Sequence, residues 1–149
     1  MAIVEHSVEI NATQDVVYRI SQDYDVRFDW DPFPDRLEML GGGDYLAERG
    51  KHVYVRSKLG LSMVVEFVQV NPPSRAAIAM VSGPFFLKKF AGTWIFEPLS
   101  SESTLARFRY ALEAKPALLR PLIEALAVAY FHRTVRKRLL ALKQYCERA

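Results

Sequence analysis

Hydrophobic positions recur with a period of two at the start and through the middle of the chain, and with a helical spacing at its end. Residues 3–10 place Val4, His6, Val8 and Ile10 on one side, which is typical of a half-buried strand. This side is expected to face the interior, so His6 is predicted to lie among buried residues. A lone histidine there is either a hydrogen-bonded core residue or an acid–base group.

Two short helices are predicted after this first strand. Asn11 or Thr13 can cap the first helix, because both residue types accept hydrogen bonds from free backbone N–H groups. The second helix is expected over residues 25–30. It must end at Trp30, since Pro32 disfavours helical geometry at the residue before it.

The middle of the chain reads as strands separated by Gly and Pro turns, such as the triple glycine at 41–43. The predicted strands begin near Leu37 and continue over 51–57, 61–70, 76–81, 89–97 and 104–113. In the last two, Trp94, Phe96, Phe108 and Tyr110 occupy the apolar sides, and Phe67 and Met80 are interpreted as inward residues of earlier strands. These side chains either fill the core or leave space for a ligand. An inward Gly92 permits either a sheet bend or room for that ligand.

The register of strand 51–57 is open at this level. A two-residue loop before strand 61–70 turns Tyr54 and Arg56 inward, whereas a three-residue loop turns Val53 and Val55 inward instead. An inward Arg56 would offer an anchor for a carboxylate, phosphate or enolate oxygen.

The end of the chain is predicted as one long helix. Residues 116–149 contain no glycine, and apolar side chains recur at spacings of three and four over residues 128–142. The first turns are apolar around most of the circumference, so Leu122 and Leu126 are expected to face the sheet as part of a lid.

Composition indicates an ordinary globular protein, with 50% hydrophobic and 25% charged residues. No segment approaches the roughly 18 apolar residues of a membrane span, and the N-terminal residues lack the pattern of a signal peptide. Cys146 is the only cysteine, which favours a reducing compartment. We therefore expect a cytoplasmic protein that folds as one domain over residues 1–149.

Charge and motif content narrow the chemistry further. Residues 51–149 carry sixteen basic against six acidic side chains. Their densest basic stretch, around residues 132–138, is interpreted as a solvated helix face, because no aromatic residues interleave it as in a nucleic-acid site. No nucleic acid, metal or cofactor is expected, since the three histidines lack ligand spacing and no phosphate-binding loop occurs. Asp29 and Asp31 are placed in an exposed polar turn, unsuited to acid–base work.

Several short motifs carry a family resemblance. They are Ser7–Ala12 with Asp15–Tyr18, Asp23 with Trp30 and Pro32, Asn71–Arg75, and Gly92–Pro98 with Ser103–Leu105. With the order of the elements, these motifs resemble the helix-grip fold of the START-like superfamily, also called SRPBCC. The nearest likeness is to its polyketide cyclase/dehydrase-like and coenzyme-Q-binding-like group. The resemblance implies an α+β fold, in which a curved antiparallel sheet of about six to seven strands wraps around a long C-terminal helix.

The resemblance further implies a deep apolar cavity between sheet and last helix. Members bind lipids, quinones, sterols or polyketides, and a few cyclise or dehydrate the bound chain. Trp30 is either a gate at the cavity mouth or a packing residue. The residues expected to line the cavity are His6, Trp30, Tyr54, Arg56, Phe67, Met80, Trp94, Phe96, Phe108, Tyr110, Leu122 and Leu126.

Three functions follow as hypotheses. The first is binding of a hydrophobic small molecule, such as a lipid, quinone or polyketide-like compound. The second is a polyketide cyclase or dehydratase in which Arg56, Tyr110 or His6 supplies polarisation or proton transfer. The third is a regulatory module that contacts a ribosome or membrane through its basic C-terminal helix.

Overall fold

In the computed structural model, which describes residues 1–41 and 48–148, those residues form a seven-stranded antiparallel sheet and three helices. The strands are β1 (Ala2–Ile10), β2 (Pro34–Leu40), β3 (His52–Ser57), β4 (Ser62–Asn71), β5 (Arg75–Ser82), β6 (Leu87–Pro98) and β7 (Thr104–Ala114). The helices are α1 (Gln14–Gln22), α2 (Arg27–Trp30) and α3 (Arg120–Arg148). The strand order across the sheet is β1-β7-β6-β5-β4-β3-β2. This arrangement confirms the predicted helix-grip architecture.

The connection from β1 to β2 follows the predicted start and stop signals. The side chain of Thr13 caps α1 by accepting a hydrogen bond from the backbone N–H of Val16 at 3.4 Å. Helix α2 is a single turn that ends at Trp30, and the chain then enters β2 at Pro34, earlier than the expected start near Leu37. The triple-glycine turn predicted at 41–43 lies partly outside the described residues.

Helix α3 begins four residues later than the break after Pro116 suggested. Residues 116–119 form a turn, in which the N–H of Leu119 donates to the carbonyl of Pro116 at 3.0 Å. Pro121 is accepted in the first helical turn, where backbone N–H groups have no helical partner to lose. The helix of 29 residues is about 43 Å long. Among the described helices, none is both long enough and apolar enough to cross a membrane.

The two halves of α3 meet the sheet differently. In the C-terminal half, Val135, Leu139, Leu142 and Cys146 are buried and pack over β1 and β7. In the N-terminal half no side chain is fully buried, and Leu126 is 65% exposed. A second buried cluster of Val53, Val65 and Phe67 lies on β3 and β4, toward the other edge of the sheet. Between these regions the interior is left open.

Candidate binding cavity

The open interior is a cavity of about 540 Å³ between the sheet and α3. The strands contribute Val55, Met63, Val65, Phe67, Ile78, Phe90, Gly92, Trp94, Phe108 and Tyr110 to its wall. Helix α3 contributes Ile123, Leu126, Ala127, Tyr130, Phe131 and Arg138. Alternation along each strand turns these side chains to one face of the sheet, and the helical spacing turns those of α3 toward them. The wall is therefore apolar and aromatic, with few polar atoms.

Gly92 shapes the aromatic part of this wall. It pairs with Tyr110 across β6 and β7, and a Cβ atom at Gly92 would lie 3.3 Å from the Tyr110 ring and 3.4 Å from the Phe108 ring. The first distance is tighter than ordinary van der Waals contact, and the second lies at its lower limit. The absent side chain thus makes room for two neighbouring rings, which then face the cavity. Those rings stack edge-to-face with centroids 4.7 Å apart.

One end of the cavity opens at a ring of exposed apolar side chains, which we call the rim. It consists of Leu59 and Leu61 on the β3–β4 hairpin, Phe85 before β6, and Leu119 and Leu126 on or next to α3. Phe85 is 86% exposed and Leu59 is 63% exposed. Apolar residues exposed together around a cavity are typical of a ligand or interaction site.

The opposite region of the wall is polar and buried, and we call it the polar end. Its members are Arg27, Asp31, Tyr110 and Arg138, each no more than 5% exposed. Arg138 donates to the Asp31 carboxylate through Nε at 3.1 Å and through Nη2 at 2.8 Å, and through Nη1 to the Tyr110 hydroxyl. Arg27 Nη1 lies 3.3 Å from the same carboxylate. Arg27, Tyr110 and Arg138 line the cavity itself.

Electrostatics keep this cluster in one protonation state. Burial acts to raise the pKa of Asp31, but the guanidinium groups of Arg138 and Arg27 outweigh it and hold the pKa below its ordinary value. Burial raises the pKa of the Tyr110 hydroxyl to about 12, against the opposing effect of Arg138. Burial also acts to lower the pKa of Arg138, which Asp31 and Tyr110 nevertheless keep raised. At neutral pH the carboxylate is therefore charged and the phenol neutral.

Five of the residues predicted to line the cavity lie on its wall: Phe67, Trp94, Phe108, Tyr110 and Leu126. The inward placement of the four aromatic residues among them follows from the alternation of β4, β6 and β7 alone. Their shared face is the feature that sequence periodicity identified most directly.

Four other predicted residues lie outside the wall. Trp30 is a packing residue rather than a gate, because it is 7% exposed and its ring meets that of Trp94 edge-on at 6.0 Å. Phe96 lies deeper in the core beside Tyr18, and Met80 is half-buried against the same core. Leu122 is 60% exposed, since it lies outside the stripe of α3 that faces the cavity.

The inward placement of Tyr54 and Arg56 is wrong. The β3–β4 loop has three residues, because the N–H of Ser57 bonds to the carbonyl of Leu61 at 2.9 Å. Arg56 consequently pairs with Ser62, and Val55 with Met63, so that Val55 takes the inward position. The Arg56 guanidinium instead donates to Asp35 at the surface, through Nη2 at 2.6 Å.

His6 lies on the helix-facing side of β1, as the alternation of side chains along this strand predicts, but it does not reach the cavity wall. Its Nε2 atom is 2.8 Å from Nδ1 of His132 on α3. Burial, His132 and Arg136 together lower the pKa of His6, which favours its neutral form. The His6–His132 contact joins β1 to the helix.

The polar end itself does not emerge from the sequence patterns. These patterns place Arg138 on a solvated basic face and Asp31 in an exposed turn, yet the two are 5% and 4% exposed. A signal is present for Arg138, because it lies three residues after Val135 and four before Leu142, within the buried stripe of α3. No comparable signal marks Asp31, whose burial depends on where α2 meets α3.

A helix-grip fold with an apolar cavity between sheet and long helix defines the class of this protein. The chain belongs to the family described as polyketide cyclase/dehydrase and lipid transport, whose model matches residues 1–147. Among curated proteins, none matches the chain in sequence.

Solved structures share the fold at low sequence identity. The Zhui aromatase/cyclase from Streptomyces sp. R1128 has a TM-score of 0.79 at 19% identity, covering 99% of this chain and 94% of its own. A START superfamily protein from Mycobacterium smegmatis has a TM-score of 0.74 at 15% identity, covering 96% and 98%. Norcoclaurine synthase from Thalictrum flavum, solved with dopamine and hydroxybenzaldehyde, has a TM-score of 0.71 at 14% identity, covering 97% and 85%. At these identities the likeness is one of fold.

Proposed function

We propose that this protein binds a hydrophobic small molecule, of lipid, quinone or polyketide-like class, in the cavity between the sheet and α3. The observation that carries the proposal is the cavity itself. Its volume of about 540 Å³ falls within the roughly 300–1,000 Å³ of typical ligand sites. Protein interiors otherwise contain few voids larger than a water molecule.

The composition of the wall supports binding. Trp94, Phe108 and Phe131 present flat apolar surfaces, and burial of an apolar ligand against them contributes about 25 cal/mol per Å². The rim extends this apolar surface to the outside, which gives a hydrophobic molecule a path between solvent and interior. The family description, which includes lipid transport, agrees with such a role.

The same wall gives little support to the cyclase or dehydratase hypothesis. That hypothesis depends on Arg56, Tyr110 and His6, and of these only Tyr110 lines the cavity. General acid–base catalysis works best with a pKa near the operating pH, whereas the pKa of Tyr110 is raised to about 12. A phenol that stays protonated across the physiological range can donate a hydrogen bond to a ligand but is poorly suited to act as a base.

The test fills the cavity and asks whether binding is lost. Ala127 lines the cavity, whereas Ala129 is exposed on the same helix and does not. Ala127→Phe should weaken binding of Nile red, a neutral solvatochromic dye, at least about tenfold, because the new ring occupies ligand space. Ala129→Phe, with the same change in helix propensity, should bind like the wild type.

Organic extraction of purified protein followed by mass spectrometry gives an independent readout of any ligand carried through purification. If the wild type does not bind Nile red, or if Ala127→Phe binds it as well as Ala129→Phe does, the cavity is not a ligand site and the proposal is wrong.

A further inference from the structure

The polar end carries more positive charge than its own carboxylate neutralises. Arg27 and Arg138 are both buried, and arginine keeps its proton in proteins. Within residues 1–41 and 48–148, Asp31 is the only carboxylate that pairs with either guanidinium. Tyr110 adds no charge, because it is neutral at physiological pH. The result is one uncompensated positive charge at the wall of an otherwise apolar cavity.

Arg27 is the surplus member of the cluster. Arg138 alone occupies both oxygens of Asp31, in a bidentate contact of 3.1 and 2.8 Å. Arg27 makes a single, longer contact of 3.3 Å to Asp31 and donates through Nη2 to the carbonyl of Ser21. Its Nε atom is buried and has no hydrogen-bond partner among the described residues. An unpartnered donor in a buried site is costly unless a ligand completes it.

A purely structural role does not account for this arrangement. The Arg138–Asp31 pair already joins α3 to the end of α2. A second buried cation adds desolvation cost without adding a further carboxylate. Aromatic rings reduce that cost, since the Arg27 guanidinium lies 4.2 Å from the Tyr24 ring centre and that of Arg138 lies 4.8 Å from the Phe108 ring centre. They do not cancel the charge.

We propose that the ligand of this cavity is an amphipathic monoanion, whose carboxylate or comparable oxyanion lies at Arg27 and Arg138 while its apolar body lies against the aromatic wall. The inference rests on the proposed binding function and specifies its ligand class. Such a ligand supplies the missing negative charge, and Tyr110 lies beside it as a neutral group. Leu126 at the rim and Arg138 at the polar end are twelve residues apart on α3, which places them about 18 Å apart along the helix. An extended chain fits that span.

The test compares two ligands that differ only at the head group. Dodecanoate and dodecanol are used to displace Nile red from the wild-type protein at pH 8, where the fatty acid is ionised. Dodecanoate should displace the dye at a concentration at least about tenfold lower, because hydrogen bonds to charged groups are the stronger ones. Equal or tighter binding of dodecanol would overturn the anionic assignment and leave the hydrophobic binding function intact. Displacement by neither compound would count against both.

Variants then test whether Arg27 is responsible for the preference for dodecanoate over dodecanol. Arg27→Gln removes the surplus charge but keeps the Arg138–Asp31 pair, so it should reduce the ratio of the two affinities, dodecanoate over dodecanol, toward unity. Arg27→Lys should retain most of the preference. Arg36→Gln is the matched control, since Arg36 is exposed on β2 and its loss changes net charge equally. If Arg27→Gln keeps the same preference for dodecanoate as the wild type, the proposal is also wrong. The comparison of the two ligands on the wild-type protein needs no variant, so it tests the anionic ligand class even if Arg27→Gln fails to fold.

Discussion

The two ends of the cavity reverse the usual distribution of residues in a folded protein. At the rim, Leu59, Phe85 and Leu126 are exposed to solvent although they are apolar. At the polar end, Asp31 and Arg138 are charged although they are buried. Charged residues are almost never fully buried unless they are paired, and neighbouring exposed apolar groups usually mark an interaction site. Stability of the fold alone would favour neither the exposed apolar residues of the rim nor the buried charges of the polar end.

The comparison separates what holds the fold from what serves the cavity. The C-terminal half of α3 packs on β1 and β7 through Val135, Leu139, Leu142 and Cys146, and it supplies ordinary hydrophobic stabilisation. The rim contributes little to that stability, because its side chains stay in contact with water in the folded state. The polar end is different: its buried groups depend on Asp31, so removing this carboxylate leaves two buried guanidinium groups without a counter-charge. Substitutions should therefore have large effects at the polar end and small ones at the rim.

The largest effect is expected for Asp31→Ala. This change leaves two buried guanidinium groups without a carboxylate, and breaking a buried ion pair from one side costs about 3–5 kcal/mol. We expect a loss of that size in the free energy of unfolding, measured by urea denaturation followed by circular dichroism.

Asp29→Ala is the control for this measurement. Asp29 lies two residues earlier and is exposed, so its loss should change the unfolding free energy by less than about 0.5 kcal/mol. Equal effects of the two substitutions would mean that the Asp31 network does not stabilise the fold.

A smaller effect is expected when one hydroxyl is removed from the polar end. Tyr110→Phe deprives Arg138 of a hydrogen-bond partner and should destabilise by about 1–2 kcal/mol. Tyr18 provides the comparison, because its hydroxyl is buried without a partner among the described residues. Tyr18→Phe should be neutral or stabilising in the same urea unfolding assay. If Tyr110→Phe is as well tolerated as Tyr18→Phe, the hydroxyl of Tyr110 is not an energetic part of the cluster.

The two ends also differ in how far sequence could predict them. The strands, the two short helices and the aromatic faces follow from periodicity and from turn residues, which are local properties. Phe67, Trp94 and Phe108 can thus be placed on the cavity wall from the alternation of their strands alone. The register of β3 cannot, because it depends on one residue of loop length, and the three-residue loop turns Arg56 outward.

The polar end cannot be predicted from local sequence patterns, for a different reason. Asp31 and Arg138 are 107 residues apart in sequence, and each looks like a surface residue until its partner is known. A charge is tolerated inside only when the tertiary fold brings a counter-charge to it. Sequence periodicity describes one element at a time, so it identifies apolar walls more readily than an ion pair between α3 and the residue that follows α2.

The smallest effect on stability is expected at the rim, and it isolates binding from folding. Phe85→Ala removes a ring that is 86% exposed, so the unfolding free energy should change by less than about 0.5 kcal/mol. Leu87→Ala, two residues later and 6% exposed, should cost about 2–5 kcal/mol in the same assay. If the rim serves the cavity, Phe85→Ala should nevertheless release Nile red faster than the wild type in stopped-flow dilution, because the apolar path from the cavity is shortened. Unchanged release together with unchanged stability would mean that this exposed ring belongs to neither the fold nor the site.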